Sequence, residues 1–138
     1  MKIVVVGLGY VGLSNAVLLA QHNEVIGVDL SAERINMVNA RKPPIIDNEL
    51  SKYFNNVDLN LSASKDLISS VLGADFVLIC TPTDYDEKTN FFNTSSVENL
   101  VEKIDGLEPK ACIVVRSTIP VGFIDEIRER LNTSAVIF

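Results

Sequence analysis

The sequence predicts an α/β domain with a doubly wound parallel sheet of six strands in the order 3-2-1-4-5-6, filling residues 1–138. Three observations predict it. Apolar, β-branched runs alternate with helix-like stretches along the whole chain. The first run empties into Gly7, Gly9 and Gly12, spaced G-x-G-x-x-G. The run at 76–80 (FVLIC) is uniformly apolar, as in a strand covered on both faces.

Residues 3–6 (IVVV) form the first strand, and a helix follows over 10–21. His22-Asn23 ends it, with Asn23 in the left-handed conformation that closes many helices. Residues 25–28 are the second strand, ending at Asp29. Ser31 is the N-cap of a helix through about Val38. Pro43-Pro44 breaks the chain, and a short helix covers 48–54. The third strand is placed at 58–61 and a helix at 64–72, stopped by Gly73.

Residues 76–80 are the fourth strand, and 81–93 read as a polar loop. Thr94 or Ser95 caps a helix to about Ile104, with Val97, Leu100, Val101 and Ile104 on one face. Residues 111–115 form the fifth strand. Pro120 suits the first turn of a helix running to about Leu131. Residues 135–138 form the sixth strand.

Composition narrows the function. The chain is 47% hydrophobic and 22% charged, with a net charge of −6 and no Lys/Arg cluster, which argues against nucleic acid and anionic membrane as partners. No apolar run has the length of a membrane span, and there is no signal-peptide layout at the N-terminus, so the expected compartment is cytoplasmic. Cys80 and Cys112 fall at opposite ends of neighbouring strands, which predicts two reduced thiols. No metal site is expected. Asp84, Asp86 and Glu87 fit no standard calcium loop and read as a solvated acidic turn. Phe91-Phe92 read as packed down or in contact with a partner. His22, the single histidine, sits at a helix end and has no role as a general base.

The glycines carry the chemistry. Gly7 allows a sharp turn, Gly9 lets backbone approach a pyrophosphate, and Gly12 lets the helix pack closely. The helix N-terminus offers unpaired N–H groups and partial positive charge to the phosphates. Asp29 lies seventeen positions after Gly12, at the end of the second strand. A carboxylate there accepts the adenosine ribose hydroxyls and repels a 2′-phosphate, so the expected cofactor is NAD rather than NADP. Alternatively Asp29 helps cap the next helix. Arg34, one turn on, either reaches the adenosine, where it leaves an opening for NADP, or is solvated. Thr81-Pro82-Thr83 leaves the fourth strand at the point where the strand order reverses, the place where open α/β sheets bind ligands. Its hydroxyls either hold the diphosphate or nicotinamide ribose or satisfy their own backbone. Ser117-Thr118 leaves the fifth strand likewise and either faces the nicotinamide or caps the following helix.

Residues 2–13 (KIVVVGLGYVGL), 25–29, 79–83 (ICTPT) with Asp84-Tyr85-Asp86, and 116–122 (RSTIPVG) resemble the N-terminal Rossmann domain of the UDP-glucose 6-dehydrogenase family, within the nucleotide-sugar dehydrogenases. Tyr10-Val11 inside the glycine motif and the STIPVG segment carry most of the resemblance. It implies a protein that oxidises the 6-hydroxyl of a UDP-hexose to a carboxylate with two NAD. Carried over by motif, Val11, Asp29, Arg34, Thr83 and Thr118 are cofactor contacts, and Thr118 also resembles the threonine that helps position a catalytic water. The family's central helix, its Lys/Asn pair and its Gly-Gly-x-Cys nucleophile lie in segments not matched here. The resemblance therefore implies an N-terminal portion that holds NAD without turning over alone, from a longer protein that is a homodimer and takes its UDP-sugar through the other domain. UDP-N-acetylmannosamine and GDP-mannose remain open as the sugar, as does a stand-alone nucleotide-sensing module.

Overall fold

A computed structural model describes all residues except Glu87, Thr89, Asn90 and Pro109, with backbone alone for Asp84–Asp86, Phe91 and Phe92. The elements in chain order are β1 (Lys2–Val6), α1 (Tyr10–Leu19), β2 (Glu24–Val28), α2 (Ala32–Asn39), α3 (Asn48–Asn56), β3 (Leu61–Ser64), α4 (Leu67–Val71), β4 (Phe76–Ile79), β5 (Asp84–Asp86), β6 (Phe91–Asn93), α5 (Ser95–Leu107), β7 (Cys112–Val115), α6 (Phe123–Leu131) and β8 (Val136–Ile137). Six strands make one parallel sheet in the order β3-β2-β1-β4-β7-β8. This is the predicted 3-2-1-4-5-6 order. It reverses at β1/β4, where the cofactor crevice of such a sheet opens.

The alternation of β1 explains the two-sided core. Ile3 and Val5 point into one hydrophobic cluster with Leu13, Ala16 and Val17 of α1, Val38 of α2, and Leu50 and Phe54 of α3. Val4 and Val6 point into the other, with Val71 of α4, Val97, Val101 and Ile104 of α5, and Phe123 and Ile127 of α6. Val4 and Val5 are fully buried. Each contributes roughly 1.5–3 kcal/mol of apolar burial, which fixes the strand that delivers the glycine loop.

Several elements depart from the sequence reading. The third strand is Leu61–Ser64, not 58–61, because Leu61 and Ala63 are the residues that alternate inward beside β2. The helix after it is correspondingly shorter, Leu67–Val71, and its N-cap is Asp66, whose carboxylate accepts the Ser69 N–H at 3.1 Å. Asn23 is not left-handed; α1 ends at Leu19, and the Asn23 amide donates to the Leu19 carbonyl at 3.0 Å. Pro120 is not in the first turn of α6. It starts a turn closed by Phe123 N–H to its carbonyl, and Gly122, at φ +91°, is the N-cap. The 81–93 loop contains an antiparallel hairpin, β5 with β6. Its acidic residue Glu87 and the side chains of Asp84, Asp86, Phe91 and Phe92 lie outside the described residues.

Both cysteines are free. Cys112 pairs with Phe76 at the start of β4, whereas Cys80 follows its end. Four residues of strand, roughly 13 Å, separate their levels.

Candidate cofactor cleft

The ladder between β1 and β2 runs to its last rung, where Gly7 N–H donates to the Val28 carbonyl at 2.7 Å. The chain then turns. Gly7 has φ +93°, and a Cβ there would lie 2.9 Å from the Cys80 carbonyl oxygen. A Cβ on Gly12 would lie 1.8 Å from the Gly7 carbonyl oxygen, so α1 sits directly on the loop that precedes it. Among the described residues nothing lies within 4 Å of a Cβ built on Gly9, and the backbone there is open to an approaching group.

α1 begins on this loop. Leu13 N–H to the Gly9 carbonyl, at 2.8 Å, is its first α-helical bond, leaving the amides before it without an intrahelical acceptor. α1 has neither a side-chain cap nor an acidic residue in its first turn. Among the described helices of eight residues or more, the others all carry one or both: Ser31 and Glu33 on α2, Asp47 and Glu49 on α3, Glu98 on α5, Asp125 and Glu126 on α6. The positive end of the α1 dipole is therefore uncompensated on its own helix, which favours an anion.

Asp29 stands at the end of β2 with its side chain 8% exposed. One oxygen accepts the Leu8 N–H at 2.7 Å, the other the Ser31 N–H at 2.8 Å. Arg34 Nη1 lies 3.5 Å from the first oxygen and is half exposed. Arg34 N–H in turn meets the Ser31 hydroxyl, the predicted cap.

These groups open on one cleft of about 1150 Å³, running from the glycine loop across the β1/β4 gap to α4 and α5. Gly7, Gly9, Tyr10, Val11, Asp29, Arg34, Thr81 and Pro82 all line it. Gly12 sits beneath the loop rather than on the wall. Tyr10 and Val11 are largely exposed, and the Tyr10 hydroxyl donates to the Asp47 carboxylate at the start of α3. That bond, with help from the Leu50 N–H, holds the Asp47 carboxyl below its usual range and pushes the Tyr10 phenol up.

The remaining predicted residues form a brace beside the cleft. Ser117 is buried, and its hydroxyl donates to the Thr81 carbonyl at 2.6 Å. The Thr83 hydroxyl donates to the Thr118 carbonyl at 2.9 Å, and Thr118 itself is exposed. The loops leaving β4 and β7 are thus tied together twice. The Thr81 Oγ1 is buried at the cleft wall, without a hydrogen-bond partner among the described residues. Cys80 also faces the cleft; burial pushes its thiol up to about 11, against the pull of the nearby Arg116 guanidinium.

The cleft also draws on residues that the sequence does not mark as part of a site: Leu30, Lys65, Ile68, Ser96, Leu100, read there only as a core-face residue, and Lys103. Leu30, directly after Asp29 and just before the cap Ser31, is a large apolar residue left 85% exposed at the mouth of the cleft. Lys65 and Ile68 were hidden by the misplaced third strand. Open glycine backbone, an uncompensated helix N-terminus, a recessed carboxylate and exposed apolar residues at one end match the diphosphate, ribose and base of a dinucleotide.

Comparison with known proteins agrees. Residues 1–136 match the model of the NAD binding domain of the UDP-glucose/GDP-mannose dehydrogenase family. The chain is 44% identical over 138 residues to a UDP-glucose 6-dehydrogenase of Streptococcus pneumoniae and 40% identical over 140 residues to one of Campylobacter jejuni, covering all of this chain. It spans 35% and 36% of those relatives, about a third of their length. The structure is similar to that of GDP-mannose dehydrogenase from Pseudomonas aeruginosa, solved as a ternary complex, with a TM-score of 0.80, 27% identity, and coverage of 99% of this chain and 35% of that one. The chain belongs to the UDP-glucose/GDP-mannose dehydrogenase family as its NAD-binding domain, and its cofactor is NAD.

Proposed function

We propose that this chain is the cofactor-holding part of a UDP-glucose 6-dehydrogenase, a protein that oxidises UDP-glucose to UDP-glucuronate in two NAD-dependent steps. The observation that carries the binding mode is the bare N-terminus of α1, opening on a cleft closed at one side by Asp29. The diphosphate lies over Gly9, Tyr10 and Val11, where free N–H groups meet it. The adenosine ribose hydroxyls reach the Asp29 carboxylate, with Arg34 beside it and the adenine between Leu30 and Ile68. Bound there, NAD supplies the hydride acceptor for carbon 6 of the sugar. The chain's own contribution at that end is the Thr83–Thr118 brace, which fixes the backbone on which the exposed Thr118 hydroxyl faces the nicotinamide side.

UDP-glucose is favoured over GDP-mannose by sequence identity: 40–44% to the two UDP-glucose enzymes against 32% to the GDP-mannose 6-dehydrogenase of Pseudomonas aeruginosa. Choice of the sugar, and association into a dimer, are assigned in this proposal to the remainder of a longer protein, since this chain spans about a third of the relatives' length. By itself, with UDP-glucose and NAD, the chain is expected to form no NADH. The binding mode is tested by NMR. On titration with NAD, the amides of Gly9–Gly12 and Asp29 should shift most. Shifts confined to the amino ends of the strands, around His22 and Asn60, would refute it.

A further inference from the structure

Asp29 does more in this structure than face the cleft. Its carboxylate grips the Leu8 N–H at 2.7 Å, in the middle of the glycine loop. Leu8 is held from the other side as well: its side chain is fully buried and lies over Gly27, where a Cβ would come within 2.7 Å of a Leu8 methyl. Gly7 N–H is bound to the Val28 carbonyl. Three consecutive positions at the end of β2, Gly27, Val28 and Asp29, therefore clamp Gly7-Leu8, and only the last clamp is a side chain that is also exposed to a ligand.

We propose that Asp29 is a positioning residue for the diphosphate site: through Leu8 it sets the loop whose free amides meet the phosphates, so losing it weakens ligand groups that it never touches. The proposal rests on the reading of the cleft as an NAD site. It predicts coupling between the ribose and phosphate ends. The alternative is that Asp29 serves the ribose hydroxyls alone.

The probe that separates these is 2′,3′-dideoxyadenosine 5′-diphosphate, which keeps adenine and diphosphate but offers Asp29 no hydroxyl. Removing the carboxylate also removes a negative charge near the phosphates and frees Arg34. The informative comparison is thus Asp29→Ala against Asp29→Asn. Both lack the charge, and only the asparagine keeps an oxygen for the Leu8 N–H. One hydrogen bond's worth of loop anchoring predicts that Asp29→Ala binds the dideoxy nucleotide about three- to ten-fold more weakly than Asp29→Asn does. Equal affinity of the two variants for it, with ADP binding still impaired, would overturn the proposal and leave the NAD site standing. Failure of the unmodified chain to bind either ADP or NAD would overturn both. A test without variants guards against a misfolded Asp29→Ala: the Leu8 amide should be protected from hydrogen exchange in the free chain, and rapid exchange there would contradict the clamp.

Discussion

Asn39, the last residue of α2, grips the backbone of Ala63 at both polar groups. Its amide nitrogen donates to the Ala63 carbonyl at 2.9 Å, and its amide oxygen accepts the Ala63 N–H at 2.8 Å. β3 is the edge of the sheet, and Asn39 stands where a seventh strand would pair. Nearby, Arg41 donates to the Leu59 carbonyl at 2.6 Å. The pair satisfies an edge that would otherwise invite another chain. Asn39→Ala should destabilise the domain by about 1–3 kcal/mol in urea unfolding and raise self-association in sedimentation. Unchanged stability with a monomeric chain would argue that the edge needs no cover.

Gly12 is the least replaceable glycine. A Cβ 1.8 Å from the Gly7 carbonyl oxygen forces α1 and its loop apart. Gly12→Ala should cost at least about 3 kcal/mol and abolish nucleotide binding. Gly9 has open space around it, so Gly9→Ala should fold normally in a thermal melt. It should still bind NAD poorly, because the added methyl occupies the approach to the phosphates. Normal NAD affinity in Gly9→Ala would move the diphosphate elsewhere.

The Tyr10–Asp47 bond carries a pH signature. The Asp47 carboxyl is depressed in the folded chain, chiefly by the Tyr10 hydroxyl and then by the Leu50 N–H. Its stabilising effect is present above the ordinary carboxylate range and is lost as pH falls through the depressed value. The Tyr10 phenol is raised, so its share is present below the ordinary phenol value and lost as pH rises through the raised one. In Tyr10→Phe, an NMR titration should find the Asp47 carboxyl nearer the ordinary range. An unchanged titration would show that the helix start alone depresses it.

Cys80 faces the cofactor cleft with a thiol raised to about 11. The thiolate is the reactive form, so at pH 8 iodoacetamide should leave Cys80 unmodified in the folded chain and modify it after unfolding. Rapid alkylation in the folded state would show that the thiol is better solvated than its burial indicates.

The strand order was readable because β1, β2, β4 and β7 each contain an uninterrupted run without polar side chains (3–6, 25–28, 76–79 and 112–115) with helical stretches between them, and the glycine loop because its three glycines answer to steric demands. β3 was misread because its sequence, LSAS, carries its inward pattern on one leucine and one alanine, while the buried Leu59 just ahead of it drew the assignment forward. Asp29 was readable as a site residue, but its hold on Leu8 was not, since no local pattern announces a side-chain bond across 21 positions. The α4 side of the cleft depended on where β3 ends, whereas Ser96, Leu100 and Lys103 reach it only through the packing of α5 in the folded chain. The hairpin β5–β6 lay in a polar segment without turn residues of a defined type.

Cofactor choice at Asp29 is the most direct consequence of the cleft's geometry. Calorimetric titration of the chain should show saturable binding of NAD, at least about ten-fold weaker binding of NADP, and loss of that discrimination in Asp29→Ala. Equal affinity of the unmodified chain for NAD and NADP, or no heat of binding with either at millimolar concentration, would contradict it.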